Sequence, residues 1–390
     1  MNHKILFVSG LMAMVLTSCA SPTATATNIP STSFPTPTQA VLPTNTNDIA
    51  STQSVETQMA QLLEPYQFSP SDDLRPLQRK LGEAVIQTLW FTQTASWWSE
   101  EDQETAKIIL KLGMDPGLGV RELHAQGITG KGVTVAIIDQ PMHLDHPEFE
   151  GKVIKYHDLG TDETWSMHGP AVTSLLVGEN IGTAPDAIVY FAAVPSWLDD
   201  AQYYADALDW IIAENKKLPE GSKIRVVSVS TMPSGLWALL HKNQDAWDAA
   251  YKRATDAGLL VLDCTYEQGI TVPCTYDLND PDNVAKCIPD WRGPINPPHP
   301  RISVPMSRRT TAIESDHEPV FSYQYDGLGG LSWTVPYLSG VLAMGWQINP
   351  ELTSDQLVDM IFASAYETDG PADIINPQAF IDLVRQTVND

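Results

Sequence analysis

The stretch Gly329-Gly330-Leu331-Ser332-Trp333-Thr334-Val335-Pro336 constrains this chain more than any other. Two glycines free the backbone for a tight turn, because glycine takes φ > 0 without steric cost. A hydroxyl follows at once, and Pro336 sits where a first helical turn tolerates proline. Tyr337, Leu338, Val341, Leu342, Ala343, Met344, Trp346 and Ile348 then present apolar side chains on nearly every side, the pattern of a helix buried all round. A serine at the start of such a helix lies in the positive end of the helix dipole. It is either an N-cap on a core helix or a group placed where developing negative charge is stabilised. The choice depends on whether the rest of the chain supplies a base and an orienting acid.

The middle of the chain alternates strand and helix. Val133 to Asp139 is a continuous apolar run closed by an acid, and Ala187–Val194, Ile224–Ser230 and Leu259–Leu262 are similar. Runs apolar on both faces fit central parallel strands covered by helices. Helical patterns at His168–Leu176, Ala201–Asn215 and Gln244–Ala257 separate them. The fold class predicted is α/β with a mainly parallel central sheet flanked by helices. Functional side chains of such sheets gather at the carboxyl ends of the strands, where Asp139 lies. His168 opens a helix of small residues, Gly169-Pro170-Ala171, which can pack close to the sheet.

An acid ending a strand, a histidine opening a helix and a serine opening another thus occur in the order Asp139, His168, Ser332. The segment Thr129 to Asp139, with His146-Pro147-Glu148-Phe149 after it, resembles the aspartate motif of the subtilisin-like (subtilase, S8) serine protease family. His168-Gly169 with Ala171-Val172 is similar to that family's histidine motif, and Gly182-Thr183-Ala184-Pro185-Asp186-Ala187 to the segment that follows it. Gly330, Ser332 and Pro336 match the serine motif, and Asn349-Pro350 and Ile375-Asn376-Pro377 fit the tail. The order is also the one seen in subtilisin-type enzymes. The resemblance covers residues 115–390 and implies a three-layer subtilisin-like fold. It further implies a serine endopeptidase with Ser332 as nucleophile, His168 as general base and Asp139 as the acid that orients the imidazole. His143, Asp145 and His146 would make a metal cluster, but the family comparison places them in an ordinary loop, so no metal or cofactor is expected.

The sequence departs from the family where an asparagine would donate to the oxyanion. Counting from Gly258 puts Glu267 there, and a shift of one or two residues puts Tyr266 or Thr265 there. An ionised glutamate cannot donate, whereas a tyrosine or threonine hydroxyl can. Loss of one such donor costs roughly 3–4 kcal/mol, which slows an enzyme without abolishing it. Pro170, Trp333, Met232 and Tyr337 are further departures. Ser230, Thr231 and Met232 resemble the edge strand that lines the substrate. The rival reading is a catalytically impaired subtilase-like module that binds peptides or envelope partners, and a third is an esterase or amidase with the same triad.

Acidic residues outnumber basic ones 48 to 23, for a formal net charge of -25, which argues against nucleic acid as a partner. Lys4 followed by the apolar run Ile5–Val15 reads as an export signal, and Leu16-Thr17-Ser18-Cys19 resembles a bacterial lipobox. The expectation is residues 1–19 as a lipoprotein signal, Cys19 as the lipidated residue, and an extracytoplasmic, membrane-anchored protein. Residues 20–54, dominated by Thr, Pro and Ser, read as a disordered tether. Residues 55–114 read as a helical extension, with Met59, Leu62 and Leu63 on one face, Leu81, Ala84, Val85, Thr88 and Leu89 in helical spacing, and a further helix suggested by Trp97–Glu101 and Ala106–Leu112. It is a pro-segment, a pack-on extension or a spacer. Cys264, Cys274 and Cys287 allow one disulfide and leave one thiol over, with the pairing open.

Overall fold

The computed structural model describes residues 71–163, 165–289, 298–314 and 321–388. The stretch read as a lipobox with Cys19, the stretch read as a tether and residues 55–70 of the expected helical extension lie outside the described residues. Strand β1 (Ser71–Asp73), helix α1 (Glu83–Ile86), strand β2 (Trp90–Ser96) and helix α2 (Glu100–Leu112) come first, followed by α3 (Val120–Ala125). The central layer then runs β3 (Thr134–Asp139), β4 (Val153–Asp158), α4 (His168–Val177), β5 (Ile188–Ala193), α5 (Gln202–Lys217), β6 (Ile224–Val229), α6 (Gln244–Asp256) and β7 (Leu260–Leu262). After it come β8 (Thr271–Thr275), β9 (Ile288–Pro289), β10 (Ile302–Pro305), β11 (Arg309–Ile313) and β12 (Ser322–Asp326). The chain closes with α7 (Thr334–Ile348), α8 (Ser354–Ala363), β13 (Asp373–Ile374) and α9 (Pro377–Gln386).

Five parallel strands form the central sheet in the order β4-β5-β3-β6-β7. Every residue of β3 is buried, as a strand covered on both faces must be. On one face, Tyr204, Leu208 and Ile211 of α5 and Trp247, Ala250 and Ala254 of α6 pack with Ala136, Ile138, Val227, Val229 and Val261. Helices α4 and α7 form the opposite layer. All residues of α7 from Thr334 to Trp346 are buried, as the unbroken apolar pattern predicts. The alternation read from the sequence is therefore an α/β three-layer fold with a mainly parallel central sheet.

The amino-terminal part differs from the sequence reading in one way. Residues 81–89 do not form a continuous helix: α1 is four residues long and the chain then enters strand β2. Trp90, Phe91, Thr92 and Thr94 favour an extended backbone, and an open partner edge on β12 accepts them. Pairing across the chain overrides a helical spacing that stopped at Leu89. Residues 71–114 belong to the same compact unit as the rest of the described chain. Helix α2 does form, with Ser99 as N-cap accepting from the Asp102 backbone N–H.

The open cysteine question resolves locally. Cys274 on β8 is bridged to Cys287, and Cys264 is a free, buried thiol.

Gly340 shows why α7 can lie so close to the loop between α4 and β5. A Cβ there would sit 2.6 Å from the Thr183 Cβ. Alanine is worth about 1 kcal/mol more than glycine in a free helix, but here it must push Thr183 aside. Gly340→Ala should lower stability by roughly 1–3 kcal/mol in denaturant melts, the cost of overpacking a filled core.

Candidate active site

Asp139 is the last residue of β3 and buried. His168 is the first residue of α4, and its helix can start there only because residue 169 is glycine. A Cβ at Gly169 would lie 2.2 Å from the Gln140 carbonyl oxygen. That close approach sets the imidazole on the carboxylate: His168 Nδ1 is 2.7 Å from Asp139 Oδ1. The carboxylate accepts from the ring and also from the Gln140 backbone N–H at 2.8 Å. Burial opposes ionisation of His168, while the charge of Asp139 and its hydrogen bond favour it and prevail, so the imidazole titrates above its ordinary value.

Ser332 lies in a 3-10 turn, Leu331–Trp333, immediately before α7, and is 5% exposed. Its hydroxyl donates to the Ser230 carbonyl at 3.0 Å, and the Ser230 hydroxyl donates to the Ser332 carbonyl at 2.9 Å. The turn is locked from below. Thr334 Oγ1 donates to the Leu331 carbonyl at 2.7 Å, which leaves Thr271 as the donor in the 2.8 Å Thr271–Thr334 contact. The neighbouring Trp333 is buried and stacks on His168, with centroids 5.4 Å apart and ring planes at 29°. An aromatic face at that range attracts a protonated imidazole. Asp139 and His168 are thus directly bonded, and the Ser332 turn is joined to His168 through Trp333.

The three oxyanion candidates have separate fates. Thr265 Oγ1 donates to Asp263 Oδ1 at 2.7 Å, so its proton is committed. The Glu267 carboxylate accepts from the Leu236 backbone N–H at 2.9 Å and crowds Gly235, where a Cβ would be 2.0 Å from Oε2. It caps the loop after β6 and has no donor to offer while ionised. Tyr266 packs edge-on against Trp237 at 5.6 Å. Of the predicted substrate residues, Ser230 meets Ser332. Thr231 accepts at its carbonyl from the Cys264 N–H at 2.9 Å, and Met232 accepts from the Leu239 N–H at 2.9 Å.

His143 and His146 serve loop structure. The His143 backbone N–H donates to Glu314 Oε2 at 3.0 Å, and His146 Nε2 contacts the Ser322 carbonyl at 3.1 Å. Among the described residues no group of three or more His, Cys, Asp or Glu side chains could hold a metal ion.

Two residues of this region were not singled out from the sequence. Gln140 Nε2 donates to Ser196 Oγ at 2.7 Å, tying the loop after β3 to the loop after β5. Glu314, 5% exposed, holds the same loop through His143 while its Oε1 has no hydrogen-bond partner. Neither carries a local signal, since each acts across a large sequence separation.

Beside the site, the loops after β5 and β6 are zipped together. Asp199 accepts from the His241 N–H at 2.8 Å, Asp200 from Asn243 Nδ2 at 2.8 Å, and Lys242 O from the Ala201 N–H at 3.0 Å. They present Trp197, Leu198, Leu236, Trp237 and Leu239 to solvent.

The architecture defines an α/β protein with an acid–imidazole pair and a buried serine at one end of a parallel sheet. Residues 130–288 match the sequence model of the subtilase family, Peptidase_S8, a span that contains Asp139 and His168. The chain is 25% identical over 281 residues to the subtilisin-like protease PopC of Myxococcus xanthus, covering 63% of this chain and 58% of PopC. It is 26% identical over 281 residues to the serine protease AprX of Bacillus subtilis, covering 61% of this chain and 62% of AprX. The match therefore spans about three-fifths of the length of each of these relatives. Among solved structures, fervidolysin of Fervidobacterium pennivorans superposes with a TM-score of 0.50 at 15% identity, over 69% of this chain and 45% of that one. A chain of the subtilase cytotoxin SubAB gives a TM-score of 0.50 at 15% identity, over 70% and 96%. Residues 130–288 are thus similar to the subtilase family, and the fold is subtilisin-like.

Glu314 gives a pH test. Burial pushes its carboxyl up to about 8, against the weaker opposing effect of the His143 N–H. The folded protein then holds a proton that the unfolded chain releases near the ordinary glutamate value of about 4.3. Stability from this group is complete below that value and is lost as pH rises towards 8. Glu314→Gln should flatten that decline and raise the melting temperature at neutral pH, read from thermal melts across pH 4 to 9.

Proposed function

We propose that this chain is a serine endopeptidase that cleaves peptide bonds through Asp139, His168 and Ser332. The observation that carries the reading is the 2.7 Å contact of His168 Nδ1 with Asp139. With Nδ1–H held by the carboxylate, the remaining ring nitrogen, Nε2, is the basic one. Attack begins when the Ser332 hydroxyl turns from the Ser230 carbonyl to His168. His168 takes the proton, Oγ bonds to the substrate carbonyl carbon, and the imidazolium returns the proton to the leaving amine. Asp139 holds the tautomer and the developing cation throughout, and the Trp333 face adds to that stabilisation.

The developing oxyanion forms at the amino end of α7, where aligned peptide dipoles favour negative charge. No asparagine is present at the candidate oxyanion loop, and Thr265 and Glu267 are committed to other partners. This supports an enzyme slower than one with a full set of donors, and it is the observation that favours the second reading, a peptide-binding module with impaired chemistry. The exposed apolar side chains of the two zipped loops suit an extended peptide carrying apolar residues.

A fluorophosphonate probe separates the readings. It should label the parent protein and neither Ser332→Ala nor His168→Ala; an unlabelled parent across a wide pH range leaves the binding module. Labelling should rise with pH through a midpoint above about 6.5, since the neutral imidazole is the base and its proton is held more tightly than usual. Asp139→Asn removes the charge that favours the imidazolium and leaves burial to act alone. Its residual labelling, reduced about 10⁴-fold, should have its midpoint moved to lower pH.

The lipobox and the tether support an extracytoplasmic position on a bacterial membrane, with Cys19 lipidated. Among the described residues no helix is long and apolar enough to cross a membrane. Cys19→Ala should move the protein from the membrane pellet to the soluble fraction after fractionation; retention in the pellet would exclude this anchor.

A further inference from the structure

Residues 71–114 are woven into the turn that carries Ser332. Strand β2 pairs antiparallel with β12, placing Trp90 opposite Asp326, Phe91 opposite Tyr325 and Thr92 opposite Gln324. The pairing continues past the strands: the Gly327 N–H donates to the Leu89 carbonyl at 2.9 Å, and the Tyr325 hydroxyl to the Gln87 carbonyl at 2.9 Å. Gly327 approaches so closely that a Cβ would lie 2.4 Å from the Gln87 carbonyl oxygen and 2.6 Å from the Thr88 carbonyl carbon.

From there the chain makes a short, fixed course to the nucleophile. Asp326 Oδ1 accepts from the N–H groups of Leu328 at 3.1 Å and Gly329 at 2.7 Å, closing the turn. On its other side, Ser307 Oγ donates to the Leu328 carbonyl at 2.7 Å and the Arg308 N–H to the Gly327 carbonyl at 3.3 Å. Gly330 leads directly into Leu331–Trp333. The turn is therefore clamped between residues 306–308 and residues 87–90.

The rest of the segment is equally committed. Phe91, 1% exposed, lies 5.2 Å from both Trp97 and Tyr325, ring centroid to ring centroid. Thr310 donates through Oγ1 to the Leu110 carbonyl at 2.7 Å and through its N–H to the Gly113 carbonyl at 2.8 Å. Buried Asp102 accepts from the N–H groups of Leu81 at 2.7 Å and Gly82 at 3.0 Å, so α2 is tied to the residues that lead into α1. Removing the segment would uncover Tyr325 and Thr310 and leave the β12 edge unpaired, a costly exposure of apolar surface and backbone groups.

We propose that residues 71–114 are a permanent member of the working domain, holding the turn that delivers Ser332, and are not removed on maturation. The proposal rests on Ser332 being the nucleophile, and its test has an arm that does not.

The labelled species is identified first: intact mass and amino-terminal sequencing of the fluorophosphonate adduct should find residues 71–114 still joined to the chain. An adduct beginning at or beyond residue 115 would overturn the proposal. Gly327→Ala then drives a wedge between the turn and residues 87–88. The labelling rate per folded molecule, measured well below the melting temperature, should fall at least tenfold. A rate equal to the parent's, with only a lower melting temperature, would reduce the segment to a stabilising role and overturn the positioning claim.

If the parent takes no label, the catalytic reading fails separately, and the structural claim is read from Ser332→Ala protein. It should melt in one transition that Phe91→Ala lowers by roughly 5–10 °C, the shift expected from emptying a buried aromatic site. A main transition indifferent to Phe91→Ala would show residues 71–114 to be dispensable.

Discussion

The site depends on how closely the start of α4 can approach the loop that leaves β3. Gly169 rests its backbone against the Gln140 carbonyl at a distance no side chain would permit. Because that contact exists, His168 begins its helix within hydrogen-bond reach of Asp139. The pair then inherits its chemistry from position: a strand end buries the carboxylate, the helix end half-buries the ring, and the attraction between them outweighs the cost of charging the imidazole away from water.

Around this pair the structure is held by loops that brace one another. Gln140 reaches Ser196, Glu314 takes the His143 N–H, and Asp199 and Asp200 tie the loop after β5 to the loop after β6. Glu267 extends the chain of braces by holding the Leu236 N–H. The same residue type that would weaken an oxyanion site therefore serves here as a cap on the loop after β6. Trp333 joins the imidazole to the serine turn by ring stacking, a contact a smaller side chain beside Ser332 would not make.

The amino-terminal segment changes how the domain is to be counted. A strand from residues 90–96 completes a four-stranded sheet, β1-β2-β12-β11, whose last strands lead into the serine turn. Part of the scaffold of the Ser332 turn thus comes from the amino-terminal side of the chain.

The sequence by itself determined the elements of the core and the order of the candidate triad. Continuous apolar runs ending in Asp139 and Ser230, helices opened by His168 and preceded by Ser332, and the all-apolar course of α7 are local patterns that backbone geometry converts directly into strands and buried helices. Residues 90–96 escaped because this strand takes its identity from its partner, and β12 lies more than two hundred residues away. The bridge between Cys274 and Cys287, the burial of Glu314 and the turning of Glu267 towards Leu236 were decided in the same way. Each is set by which neighbour the folded chain brings near. Spacing along the sequence carries no record of that.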